Sequence, residues 1–114
     1  MILRKNIPST ASVVQEKSEG CLHSPAAERN SAHIIELVCS YSPTSGNALE
    51  IASGTGQHIV ELAATLTELV WQPSDIDNAR LNSIASRSLA KQLPNLLPPI
   101  RLDAVSYTHL RAHE

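Results

Sequence analysis

Glu50-Ile51-Ala52-Ser53-Gly54-Thr55-Gly56 is the stretch on which the reading of this chain turns. The run Ala48-Leu49-Glu50-Ile51-Ala52 is short, mostly apolar and bounded by turn residues, the pattern of a buried strand. Ser53-Gly54-Thr55-Gly56 is a tight glycine turn. A helix follows from about Gln57, with Ile59, Val60, Leu62, Ala63 and Leu66 on its inner side. Glycine lets a backbone turn sharply and lets a ligand approach without a Cβ in the way. A helix that starts just after such a turn points free N–H groups at whatever sits over it. The next strand, Leu69-Val70-Trp71-Gln72, ends near Asp75, 21 residues beyond Gly54. An acid at that place can accept both ribose hydroxyls of a nucleoside. Strand, glycine turn, helix and distant acid together outline a nucleoside-cofactor crevice.

The elements on either side extend this unit. Ser24-Pro25 is a helix start, a hydroxyl cap followed by proline at the first helical position. Ile34, Ile35, Val38 and Tyr41 then recur at helical spacing, and Pro43 and Gly46 stop the helix. Asp77 or Asn78 caps a third helix carrying Leu81, Ile84, Ala85 and Leu89, which Pro94 closes. The last strand is Ile100-Arg101-Leu102, ending at Asp103; the prolines before it, Pro98 and Pro99, place it at a sheet edge. Helices alternating with strands predict an α/β fold, with a parallel sheet and helices on both faces. Residues 1–23 carry no sustained period and read as a flexible tail ahead of a domain spanning 24–104.

Composition removes several function classes. A chain of 114 residues fits one domain. Apolar residues make up 42%, enough for a core, but with no Phe and one Trp its chemistry is aliphatic. With a net charge of −2 and scarce aromatics, direct nucleic-acid binding has no electrostatic or stacking support. No run is long and apolar enough to span a membrane, and the polar opening after Met1-Ile2-Leu3 lacks a signal-peptide core. Cys21 and Cys39 match no zinc spacing and read as free thiols. Cys39, on an apolar helix face, is expected in the core. The expectation is a cytoplasmic protein with a small-molecule partner and no metal.

Two cofactor classes compete for the turn. A dinucleotide site wants Gly-x-Gly-x-x-Gly, but Ile59 stands at the third glycine position, which counts against NAD. S-adenosylmethionine (SAM) enzymes carry an acid at the end of the first strand, then small-x-Gly-x-Gly; Glu50, Ala52, Gly54 and Gly56 fit this. Glu50 is the informative residue, because a carboxylate inside an apolar strand is costly to bury unless paired. The ammonium of a methionine moiety could pair it. An oxidoreductase fragment that binds NAD and a non-catalytic nucleoside-binding module stay open as alternatives.

Longer pieces carry a more specific resemblance. They are Ser24-Pro25-Ala26-Ala27-Glu28-Arg29-Asn30, Leu49 through His58, Trp71-Gln72-Pro73-Ser74-Asp75-Ile76-Asp77, and Leu93-Pro94-Asn95-Leu96-Leu97-Pro98-Pro99. In this order they resemble the methyltransferase-like protein 26 family of class I SAM-dependent methyltransferases, formerly filed as a domain of unknown function. The resemblance implies a Rossmann-like fold of strand order 3-2-1-4-5 and methyl transfer from SAM to an unidentified acceptor. It implies that Glu50, Ala52, Gly54 and Gly56 line the methionine and ribose side and that Asp75 binds the ribose hydroxyls. Asp103, with the Ala104 backbone, falls where such enzymes contact adenine. Arg29 and Asn30 match the entry motif and would reach the cofactor carboxylate or the substrate. No catalytic residue is assigned. His58 reads as packing or local hydrogen bonding, Asp77 as a helix cap and Trp71 as packing. Against that family the chain is expected to be a truncated N-terminal half with three strands, inactive by itself. Val105 to Glu114 departs from the family pattern and resembles a peptide translated from sequencing-adapter DNA.

Overall fold

The computed structural model describes residues 15–18 and 20–105. A short antiparallel hairpin, β1 (Gln15–Ser18) and β2 (Cys21–His23), comes first. Helix α1 (Pro25–Tyr41) leads to β3 (Gly46–Glu50), α2 (Gln57–Thr65), β4 (Leu69–Asp75), α3 (Asn78–Lys91) and β5 (Ile100–Arg101). Among the described residues, β3, β4 and β5 form one parallel sheet in that spatial order. Ala48 lies beside Trp71 and Ser74 beside Ile100. The described residues are thus α/β, with three parallel strands and three helices, an arrangement compatible with part of a Rossmann-like sheet. β5 lies at an edge, as its preceding prolines require.

The local signals hold. Ser24 is extended and its Oγ accepts the Ala27 N–H at 3.2 Å, with Pro25 opening α1. Asp77 caps α3 by accepting the Arg80 N–H at 3.0 Å. β3 begins two residues earlier than the apolar run suggests and ends at Glu50, so Ile51 and Ala52 already belong to the turn.

The expectation of helices on both faces is corrected. α2 and α3 both pack on β4, against each other, and α1 packs on α2. Along β4, Leu69 (2% exposed) and Trp71 (5%) are buried while Val70 between them is 37% exposed. On the same open face Leu49 is 54% exposed. The reason is topological. Right-handed crossovers that step in one direction along a sheet put their helices on one face; covering the other requires the stepping to reverse. From β3 to β5 it does not.

The core lies between α2 and the sheet, where Ile59, Val60, Leu62 and Ala63 meet Leu69, Trp71 and Leu96. Asn95 seals its lower end. Its amide Nδ2 lies within hydrogen-bonding distance of the carbonyls of Ala63 (2.9 Å), Leu66 (3.3 Å) and Leu69 (3.0 Å), the groups around the α2–β4 connection. The Trp71 indole N–H also donates to Leu66 at 3.3 Å, so Trp71 packs as expected.

Two further readings are corrected. Gln15–Ser18 and Cys21–His23, read as part of an aperiodic tail, pair as strands, and β2 rests on α3; residues 1–14 lie outside the described residues. Cys39 is exposed, because α1 touches the body through α2 and its other sides face solvent. Both cysteines are free thiols. Among the described residues no helix is long and apolar enough to cross a membrane, and no cluster of His, Cys, Asp and Glu suits a metal ion.

Candidate functional site

The carboxyl ends of β3 and β4 are laced together by two serines. Ser53 N–H donates to the Ser74 carbonyl at 2.7 Å, and Ser74 N–H donates to Ser53 Oγ at 3.0 Å. The hydroxyls of Ser74 (2.7 Å) and Ser53 (3.3 Å) both donate to the Glu50 carbonyl. Ser74 is wholly buried, and a buried hydroxyl must find such partners. This lacing holds the entry to the glycine turn beside the end of β4.

Asp75 is buried there, 6% exposed. One carboxylate oxygen accepts the Gly54 N–H at 2.9 Å and the other accepts the Asp77 N–H at 3.0 Å. Asp75 therefore ties the glycine turn to the start of α3. A carboxylate offers about four acceptor sites, so two remain for ligand hydroxyls. The turn itself runs through left-handed backbone at Ala52 (φ 57°), Gly54 (φ 63°) and Gly56 (φ 88°). The two glycines differ. A Cβ on Gly54 would meet nothing within 4 Å, so the space above it is open. A Cβ on Gly56 would lie 3.1 Å from the Ile84 backbone, so this glycine is needed for α3 to pack. Ala52, without a glycine's freedom, holds strained backbone next to the open position.

Glu50 is half-buried at the end of β3, and its Oε1 is buried with no hydrogen-bond partner. Burial pushes its pKa above the ordinary glutamate value; the Ser53 hydroxyl opposes this and the Asp75 carboxylate adds to it. Among the described residues no ion pair offsets this burial.

Glu50, Gly54 and Asp75 are brought together as the sequence suggests. Asp103 and Ala104 follow β5 and are half-buried. Arg29 and Asn30 are exposed in α1, just past its first turn. That turn is fastened to the start of α2 by Gln57, whose amide accepts the Ser24 N–H at 2.5 Å and donates to the Ser24 carbonyl at 3.3 Å. His58, one position on, is half-buried with Nδ1 unpartnered; burial lowers its pKa, against the opposing charge of Glu61. Gln57, Ser53, Ser74, Ser83 and Arg87 are the residues that the sequence reading missed. The signal for the serines was present, since hydroxyls at the ends of apolar strands need partners. A separate cleft of about 380 Å³ is lined by His23, Glu28, Gln57, Glu61, Arg87 and Lys91, among others. An apolar groove of about 410 Å³ lies between α3 and the loop Leu96 to Pro99. Neither is lined by Glu50, Gly54 or Asp75.

This turn, its acids and the Leu-Pro-Asn-Leu segment fall inside a match to a family described as "Protein of unknown function (DUF938)", over residues 22–112. The chain belongs to the DUF938 family. The match begins at Leu22, inside β2, so Cys21 and β1 precede it; it runs on to Ala112, so the departure from the family pattern expected after Ala104 is corrected.

Proposed function

We propose that this DUF938 chain carries the cofactor side of a SAM-dependent methyltransferase of the methyltransferase-like protein 26 type, with an unidentified methyl acceptor. The observation that carries the reading is the buried, unpartnered Glu50 Oε1, near enough to the Asp75 carboxylate for their charges to interact, with Asp75 in turn bonded to the Gly54 N–H under open space. A nucleoside bearing an ammonium group fits this donor set. Glu50 would take the ammonium, Asp75 would offer its remaining acceptor sites to the ribose hydroxyls, and Gly54 would allow close approach. Asp103 with Ala104, at the end of the third parallel strand, are the candidates for the adenine. When bound, SAM supplies an electrophilic methyl group; the protein's work is then to hold it in line with an acceptor and keep water away.

The NAD reading is disfavoured by Ile59. It occupies the third glycine position and is fully buried in the core against the sheet, where a dinucleotide site wants a residue without a side chain. The test is calorimetric titration of the chain with SAM, its demethylated product and NAD in parallel. Binding of the first two, and tighter than NAD, supports the reading. Tighter NAD binding, or no binding of either SAM form, defeats it.

A further inference from the structure

The glycine turn is held on its far side by the N-terminal hairpin, through two residues of α3. Ser83 and Arg87 lie one helical turn apart and face the same way. The Ser83 hydroxyl donates to the Thr55 carbonyl at 2.8 Å, and Arg87 Nε donates to that same carbonyl at 3.1 Å. Both residues also reach β2: the Leu22 N–H donates to Ser83 Oγ at 2.7 Å, and Arg87 Nη2 donates to the Leu22 carbonyl. The result is a closed ring of hydrogen bonds joining Leu22, Ser83, Thr55 and Arg87. Its Ser83–Thr55 side is buried, Ser83 wholly and Thr55 at 5% exposed, while Leu22 and Arg87 are half-buried. Gly20 (φ 83°) turns the hairpin so that its Cα side lies over Ser86 of α3, where a Cβ would come within 3.5 Å.

Thr55 sits between Gly54 and Gly56, and glycines do not resist rotation of the peptide planes that join them. With both lone pairs of its carbonyl occupied, the Thr55–Gly56 peptide has one orientation. That orientation turns the Gly56 N–H toward the Ser53 carbonyl, where it bonds at 3.1 Å, and sets the start of α2.

We propose that the hairpin β1–β2 is a strap that fixes the conformation of the glycine turn, with Ser83 and Arg87 as the positioning residues that transmit it. They act through Thr55, and a turn held in one conformation binds better than one that must be ordered on binding. Coupling of this kind is reciprocal, so a ligand at the turn also tightens the hairpin. The consequence for affinity rests on the cofactor reading above; the coupling between hairpin and turn does not.

The test uses the full chain and hydrogen exchange read by mass spectrometry. Leu22→Pro removes the N–H that Ser83 accepts and breaks the strap at its hairpin end. Exchange at the Gly54 to Gly56 amides should then speed up by about tenfold, the order expected for losing one hydrogen bond. Unchanged exchange there overturns the strap, whatever the cofactor is. Arg87→Ala should speed exchange in the hairpin as well as the turn, and Arg87→Lys, which cannot span both carbonyls, should restore neither fully. Full restoration by lysine would make Arg87 a simple charge and overturn its positioning role. If SAM or its demethylated product binds, it should slow exchange over residues 20–23 in the wild type and not in Arg87→Ala. The losses of affinity in Leu22→Pro and Arg87→Ala should also fall short of adding in the double variant, since both break one ring. Additive losses would show two independent structural effects and overturn the coupling.

Discussion

Glu50 combines a cost to folding with an opportunity for binding. Its native pKa is raised, chiefly by burial. Between the ordinary glutamate value and the raised one, the native state holds more protons than the unfolded state, so stability falls as pH rises through that window. Glu50→Gln should therefore raise the melting temperature at neutral pH and flatten the decline between acid and neutral pH, measured by thermal melts across a pH series. The same variant should weaken SAM by roughly 1.5–3 kcal/mol, the worth of a hydrogen bond to a charged group; titration calorimetry checks this. His58 has the opposite sign. Its pKa is lowered by burial, so stability is lost as pH falls from the ordinary histidine value toward the lowered native one, and His58→Gln should remove that acid-side loss in the same melts. The glycines separate structure from binding. Gly54→Ala should cost about 1–2 kcal/mol, the price of left-handed backbone for an L-residue. Gly56→Ala should cost more, because its Cβ also meets the Ile84 backbone at 3.1 Å. Denaturant midpoints for the two variants rank them. Asp75 cannot be sorted so cleanly: its carboxylate holds the turn through Gly54, so replacing it should reduce stability as well as affinity.

At the scale of elements, the joints are made by amides rather than by apolar contact alone. The α2–β4 connection turns its carbonyls inward, and Asn95 meets three of them. Asn95→Ala leaves buried acceptors without a donor, each worth about 1–3 kcal/mol when stranded. The expected result is a lower denaturant midpoint with an unchanged slope; a midpoint equal to wild type would show that water replaces the amide without loss. Gln57 plays a similar part between α1 and α2 through Ser24. The Gly-Thr-Gly-Gln-His and Leu-Pro-Asn-Leu pieces of sequence thus contain structural clamps inside stretches that look functional.

At the largest scale, the consequential feature of the described residues is a sheet clothed on one side. Among the described residues, Leu49, Val70 and Ile100 are exposed on the face away from the helices, and β3 pairs on one edge alone. An apolar face ending in an open strand edge favours association between chains. Leu49→Lys should reduce concentration-dependent association in sedimentation velocity. It should change the melting temperature little, since surface substitutions usually stay within about 0.5 kcal/mol. Association that persists unchanged would locate the sticky surface elsewhere, with the apolar groove beside Leu89 the next place to look.

The order of helices and strands from Pro25 onward, the caps at Ser24 and Asp77, the glycine turn and the edge position of β5 were all legible in the sequence. Each depends on residues within a few positions of one another, where period, capping chemistry and the freedom of glycine act directly. The meeting of Glu50 with Asp75 was also legible, because strand ends in a parallel sheet come together by topology. The tertiary structure alone decided the rest. That α2 and α3 share one face follows from the handedness and direction of successive crossovers, which no local period records. The exposure of Cys39 depends on how little of α1 its neighbours cover. The bond of Asp75 to Gly54, the partners of Asn95, and the ring from Leu22 through Ser83, Thr55 and Arg87, join residues more than 20 positions apart. Such partners are selected by the closure of the fold around buried polar groups that must be satisfied, and a sequence states the need without naming the partner.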